Sequence, residues 1–129
     1  LLARANRGSA LLTTALSAVA TVEQVAVYDQ ADIADPDAAT LDALRRGEIR
    51  YVTLPSSNIA RGVLGGFDET IRGRVERGEI RLVAISPITG DAVRELGLPV
   101  AAEATTYTED GLIEAVVALA RQEPIHPAP

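Results

Sequence analysis

The apolar positions along this chain change period repeatedly, and each change marks an element. Leu1–Arg4 reads as the end of a strand. Leu11, Leu12, Ala15, Leu16 and Val19 then recur at helical spacing and predict one face of an amphipathic helix. The valine-rich run "VEQVAVY" predicts a second strand that ends at Tyr28. Asp35-Pro36 is a helix start, a capping carboxylate followed by proline in the first turn. Ala38, Leu41 and Leu44 carry that helix's stripe, and Gly47 stops it.

The second half repeats this grammar. "EIRYVTL" predicts a third strand, closed by Pro55. Ser56 or Ser57 caps a helix carrying Ile59, Val63 and Leu64, Gly65-Gly66 breaks it, and Asp68 restarts a short helix through Ile71 and Val75. "EIRLVAI" predicts a fourth strand. Ser86 caps the next helix, Pro87 takes its first turn, Ile88, Ala92, Val93 and Leu96 form a buried stripe, and Gly97 ends it. A short strand falls near Pro99–Glu103. Thr108 caps a last helix, Glu109 and Asp110 complement its positive end, and Leu112, Ile113, Val116 and Val117 face inward. "QEPIHPAP" has the character of a frayed tail.

Alternating strands and helices imply a mainly parallel, five-stranded α/β sheet covered on both faces. All strand C-termini would then share one edge. The pentapeptide "RGEIR" occurs twice, at Arg46–Arg50 and Arg77–Arg81. Both copies fall where a helix hands over to a strand, on the opposite edge. They are expected to be structural.

Composition narrows the picture. The 129 residues are 47% hydrophobic but only 3% aromatic, so an ordinary-sized core must be aliphatic. Cysteine is absent, which removes disulfides, thiolate metal sites and thiol catalysis. A net charge of −6 argues against nucleic-acid binding. The apolar runs are too short to span a bilayer and no secretory signal is visible, so a cytoplasmic setting is the default. Methionine is absent too, and the chain opens inside a strand-like segment, which predicts a piece of something longer.

Ligands of open α/β sheets bind beyond the carboxyl ends of the strands. That edge receives Asn6-Arg7-Gly8, Tyr28, Pro55–Asn58, Ser86–Thr89 and Thr105–Thr108. Hydroxyls and unpaired first-turn N–H groups there suit carboxylates or phosphates. Ser56, Ser57, Ser86 and Thr108 serve equally well as plain N-caps. The chain has no GxxxxGK[ST] loop and no GxGxxG fingerprint, and its one histidine, His126, lies in the tail. Asp29, Asp32, Asp35 and Asp37 form a loose acidic group that reads as linker and caps rather than as a metal site. Tyr28 ends a strand before the polar link "DQADIADPD", where its phenol can donate to a ligand or simply pack on the link. Tyr107 lies on the same edge without a further distinguishing feature.

"VAVY" with its polar link, "IRYVTLPSSNIAR", "LVAISPITGDAVRELGLPV" and "AAEATTYTEDGLIEAV" resemble, in that order, the C-terminal half of uroporphyrinogen-III synthases. The likeness runs over nearly all of residues 1–123. It departs from the family pattern at Pro55, often Thr or Ser, at Ser86, usually Gly, and at Gly90, commonly Ala. The resemblance implies a flavodoxin-like fold and closure of the linear tetrapyrrole hydroxymethylbilane, with ring D inversion and loss of water, to uroporphyrinogen III. It implies no metal or organic cofactor. By the same resemblance Tyr28 is the candidate proton donor to the leaving hydroxyl, and Thr89, Ser56 and Ser57 hold substrate carboxylates and orient ring D; Ser86 and Asn6, on the same strand-end rim, are further candidate substrate contacts.

Family chains run to about double this length. The resemblance therefore makes residues 1–28 the end of one family domain, 29–36 a linker, 37–123 most of the other domain, and 124–129 a flexible tail. The first unit is expected to complete the five-stranded sheet, within the chain or by strand exchange in a homodimer. The resemblance also implies a substrate cleft between the two family domains; with half of it missing, the isolated chain is expected to be inactive. The alternative is a non-catalytic flavodoxin-like module that binds a small anionic ligand.

Overall fold

The computed structural model describes residues 2–5, 10–28 and 36–124. Asn6, Asp29, Asp32, Asp35, His126 and most of the tail lie outside them. The chain falls into two compact units, Leu1–Asp32 and Ile33–Pro129.

The first unit is a parallel strand–helix–strand: β1 (Leu2–Ala5), α1 (Leu11–Ser17) and β2 (Gln24–Tyr28). Leu2 pairs with Gln24, and the register slips between Arg4 and Ala5, so that Ala5 faces Tyr28. On the expected apolar face of α1, Leu11, Ala15, Leu16 and Val19 are exposed. A helix this short over a two-stranded sheet has too narrow a floor to bury a full stripe.

The second unit runs α2 (Ala38–Arg46), β3 (Tyr51–Leu54), α3 (Ser57–Gly65), α4 (Glu69–Glu76), β4 (Arg81–Ala84), α5 (Pro87–Glu95), β5 (Ala102–Glu103), α6 (Glu109–Gln122). Its sheet has the order β3-β4-β5, parallel throughout. Alternation along the strands splits the apolar side chains between two faces. Leu54 and Leu82 join Leu44, Leu64, Ile71, Val75, Ile80 and Val93 in the larger core under α2–α5. Val83 meets Leu112 and Leu119 of α6 in the smaller one.

The single five-stranded sheet is not formed. β1 and β2 pair with each other, and β3, β4 and β5 make a separate three-stranded sheet. β1 and β2 are joined through α1, β3 and β4 through α3 and α4, and β4 and β5 through α5, so each strand pairs with a neighbour in sequence. Three smaller expectations are also corrected. The N-cap of α2 is Asp37, whose carboxylate accepts from Thr40 N at 2.9 Å, rather than Asp35. Ile113 and Val117 are exposed, because one helix over a narrow sheet buries only the row Leu112, Ala115–Val116, Leu119. Ile88 is 76% exposed, because the first turn of α5 projects beyond the end of the sheet.

The two "RGEIR" copies are built alike. Gly47 and Gly78 sit at φ 74° and 76°, left-handed backbone that glycine adopts without strain. Arg46 Nε donates to Glu48 Oε1 at 2.8 Å, and Arg77 Nε donates to Glu79 Oε1 at 2.8 Å. Ile49 packs against the larger core and Ile80 is buried in it. The terminal arginines converge: Arg50 Nη2 lies 2.7 Å and Arg81 Nε 2.9 Å from the Glu123 carboxylate at the end of α6. The Arg81 approach is off hydrogen-bond geometry and leaves Glu123 Oε1 without a hydrogen-bond partner among the described residues, so the attraction there is Coulombic. Burial, with the Glu123 carboxylate beside the phenol, raises the Tyr51 pKa.

Candidate functional site

On the opposite edge, three strand ends gather around one cavity of about 600 Å3. Pro55, Ser56 and Ser57 line it after β3, Ile85 to Thr89 after β4, and Tyr107 after β5. Each strand leads into a helix N-terminus through a hydroxyl cap. Ser56 Oγ accepts from Ile59 N at 3.1 Å, Ser86 Oγ from Thr89 N at 3.3 Å, and Thr108 Oγ1 from Gly111 N at 3.1 Å. These residues were chosen by local backbone chemistry: Ser and Thr satisfy N–H groups that have no intrahelical acceptor.

Capping divides the candidate residues by availability. The Ser86 hydroxyl accepts from the Thr89 amide and donates to Thr89 Oγ1 at 3.4 Å, so it is occupied on both counts. Thr89 is buried, 3% exposed, and its amide is taken. Ser56 accepts one bond and retains its own O–H as a donor. Ser57 is half-buried at the first position of α3, and its hydroxyl has no partner among the described residues. The first-turn N–H groups of Ser57 and Asn58 in α3 and of Ile88 in α5 likewise have no acceptor among them. Pro87 contributes no N–H. The cavity is thus a polar rim of amides and hydroxyls set beside exposed apolar groups.

Sequence reasoning brought Ser56, Ser57, Ser86 and Thr89 to this edge, and they line one cavity. Of Tyr28 the structure describes the backbone, at the end of β2 in the first unit. Asn6 lies outside the described residues. The sequence puts Ile88 both on this edge and in the buried stripe of α5, and gives Tyr107 no distinguishing feature there; the structure opens both side chains onto the cavity. The signal for Tyr107 was its rarity: an aromatic in a strand-to-helix loop of a chain with 3% aromatics.

Gly111 fixes that loop. A Cβ there would lie 1.9 Å from the Thr106 carbonyl oxygen, so the backbone at Thr106 passes where any other side chain would begin. Thr108 N donates to the same carbonyl at 2.9 Å. Tyr107, between them, is turned outward and 63% exposed. Gly90 has a different reason. A Cβ would meet Glu103 Oε1 at 2.1 Å, and that carboxylate is held over α5 by Arg94 Nη2 at 2.7 Å.

Other hollows are less suited to an anion. One of about 380 Å3 beside β5 and α6 is lined by Glu103 and Glu114. One of about 240 Å3, lined by Glu76, Gly78 and Arg81, lies near the second "RGEIR" turn. Among the described residues, no group of three or more His, Asp or Glu side chains is placed to hold a metal ion, and no helix is long and apolar enough to cross a membrane.

A parallel sheet flanked by helices, with a cavity at the carboxyl ends of its strands, defines an α/β protein of the open-sheet class. Within that class the chain belongs to the uroporphyrinogen-III synthase family, whose model, described as uroporphyrinogen-III synthase HemD, matches residues 1–114. In structure it is similar to the uroporphyrinogen-III synthetase of Helicobacter pylori 26695, with a TM-score of 0.64 and 19% identity, over 92% of this chain and 51% of that one. At that identity the likeness is one of fold. The chain spans about half the length of that relative. A search of curated proteins gave no match.

Proposed function

We propose that this chain supplies part of a uroporphyrinogen-III synthase: a hydro-lyase that closes hydroxymethylbilane to uroporphyrinogen III with inversion of ring D. The observation that carries the reading is the rim of unsatisfied amides and hydroxyls at the strand ends, in a chain of this family. The substrate is rich in carboxylates, and such a rim offers donors without requiring net positive charge. Ser57, the Ser56 hydroxyl and the Ser57, Asn58 and Ile88 amides receive carboxylates. Ser86 and Thr89 hold the turn in shape, and Asn6 remains a candidate contact from the first unit. Tyr28 is the candidate proton donor to the leaving hydroxyl. Holding the bilane ends together accounts for much of the rate, since positioning converts ring closure into a favourably oriented step.

The test is isomer analysis. Residues 1–129 replace their counterpart in the Helicobacter pylori synthetase, and the chimera is given hydroxymethylbilane. Type III product is expected. A folded chimera that yields only the type I isomer would overturn the reading. The isolated chain is expected to form no type III product. We further propose that copies of the chain exchange their first units, with β1 or β2 of one copy adding to the β3 edge of another, which has no strand partner among the described residues. Light scattering that gives a monomer at all concentrations would exclude this.

A further inference from the structure

We infer that Ile88 and Tyr107 form an apolar wall on which a pyrrole ring of the ligand packs, facing the rim that takes its carboxylates; this rests on the synthase reading above. Single exposed apolar side chains are ordinary on a protein surface. Here two large ones, 76% and 63% exposed, open onto the same cavity. They reach it from different strand ends, Ile88 after β4 and Tyr107 after β5. Neither position is an accident of a loose loop. Ile88 follows Pro87 in the first turn of α5, anchored by the Ser86 cap. Tyr107 is turned out by the Thr106 carbonyl lodged against Gly111.

Amides and hydroxyls recognise carboxylates wherever they occur, so the rim by itself cannot separate a tetrapyrrole from any small polycarboxylate. A phenol ring and a branched aliphatic chain add what the rim lacks, a surface for the face of a pyrrole. The wall is therefore the specificity element, and Tyr107 acts through its ring rather than its hydroxyl.

The experiment is equilibrium binding of uroporphyrin III, the oxidised product, to the 129-residue chain, followed by porphyrin fluorescence at several salt concentrations. Tyr107→Ala is expected to weaken binding about five- to tenfold, Ile88→Ser similarly, and Tyr107→Phe less than twofold. The salt dependence should be the same in all three as in the parent, because no charge contact is lost. Ser57→Ala reports on the rim. Circular dichroism checks that each variant folds, which both exposed positions favour. If Ser57→Ala weakens binding while Tyr107→Ala and Ile88→Ser match the parent, the wall is overturned and the rim stands. If Tyr107→Phe falls as far as Tyr107→Ala, the hydroxyl carries the contact and the wall is again overturned. No binding by the parent chain overturns the wall together with the rim.

Discussion

The two edges of the three-stranded sheet solve opposite problems with the same strands. At the amino edge charges are abundant and each is engaged: Arg46 with Glu48, Arg77 with Glu79, Arg50 and Arg81 together with Glu123. At the carboxyl edge formal charge is nearly absent from the cavity, yet donors are left over. Counting arginines would send an anionic ligand to the amino edge. Pairing argues otherwise, because the carboxylates already seated there offset the guanidinium charge and repel a further anion. Sites can thus be read from unsatisfied groups more safely than from net charge.

The largest effect should come from breaking the carboxyl edge at its glycine. Gly111→Ala forces the Thr106 backbone to move and should cost about 2–3 kcal/mol in thermal or denaturant unfolding. It should also weaken porphyrin binding through displacement of Tyr107. On the amino edge, Glu123→Ala strips Arg50 and Arg81 of their common partner. Both arginines are partly exposed and can rehydrate, so the loss should be about 1–2 kcal/mol, with porphyrin affinity unchanged. A binding loss there would break the division between the edges.

Cap removal is the next smaller step. Ser56→Ala and Ser86→Ala should each cost about 1 kcal/mol. Ser57→Ala, which caps nothing, should leave stability within about 0.5 kcal/mol. Binding should follow the reverse order, with Ser57 the more damaging and Ser86 the least.

The smallest effects are in pH. The hydrogen bond from Arg46 lowers the Glu48 pKa, and that from Arg77 lowers the Glu79 pKa, from 4.5. Folded values below unfolded ones mean a contribution present above about pH 4.5 and lost as pH falls through the folded values. Tyr51 has the opposite sign. Its pKa is raised from 10.0, chiefly by burial, so its contribution is present below that pH and lost as pH rises through the folded value. Unfolding titrations should therefore show an acid slope that flattens in Glu79→Gln and an alkaline slope that flattens in Tyr51→Phe.

What the sequence made legible was local. Asp68, Ser86 and Thr108 were read as caps from their place before apolar stripes, and each cap bond is formed. The repeat was read as a helix-to-strand turn, and its glycines take the left-handed backbone that such a turn requires. What was not legible was non-local. Glu123 gave no sign that Arg50 and Arg81 would meet on it. The inward faces of α5 and α6 were drawn too wide, because how far Ile88, Ile113 and Val117 are covered depends on the width of sheet beneath them. The joined sheet failed for a related reason: periodicity names strands but not the neighbours they choose. For the site, Ser56, Ser57, Ser86 and Thr89 could be placed at one edge by topology alone. Which of them stay available depends on cap bonds that only geometry reveals, and Tyr107 depends on a glycine four residues further on.

The most direct test maps the ligand onto the two edges. Amide resonances of the 15N-labelled chain, followed during titration with uroporphyrin III, should shift first at Ser57, Asn58, Ile88 and Tyr107 and stay still at Glu48, Glu79 and Glu123. Shifts concentrated at Arg50, Arg81 and Glu123, with the strand ends unmoved, would contradict the account.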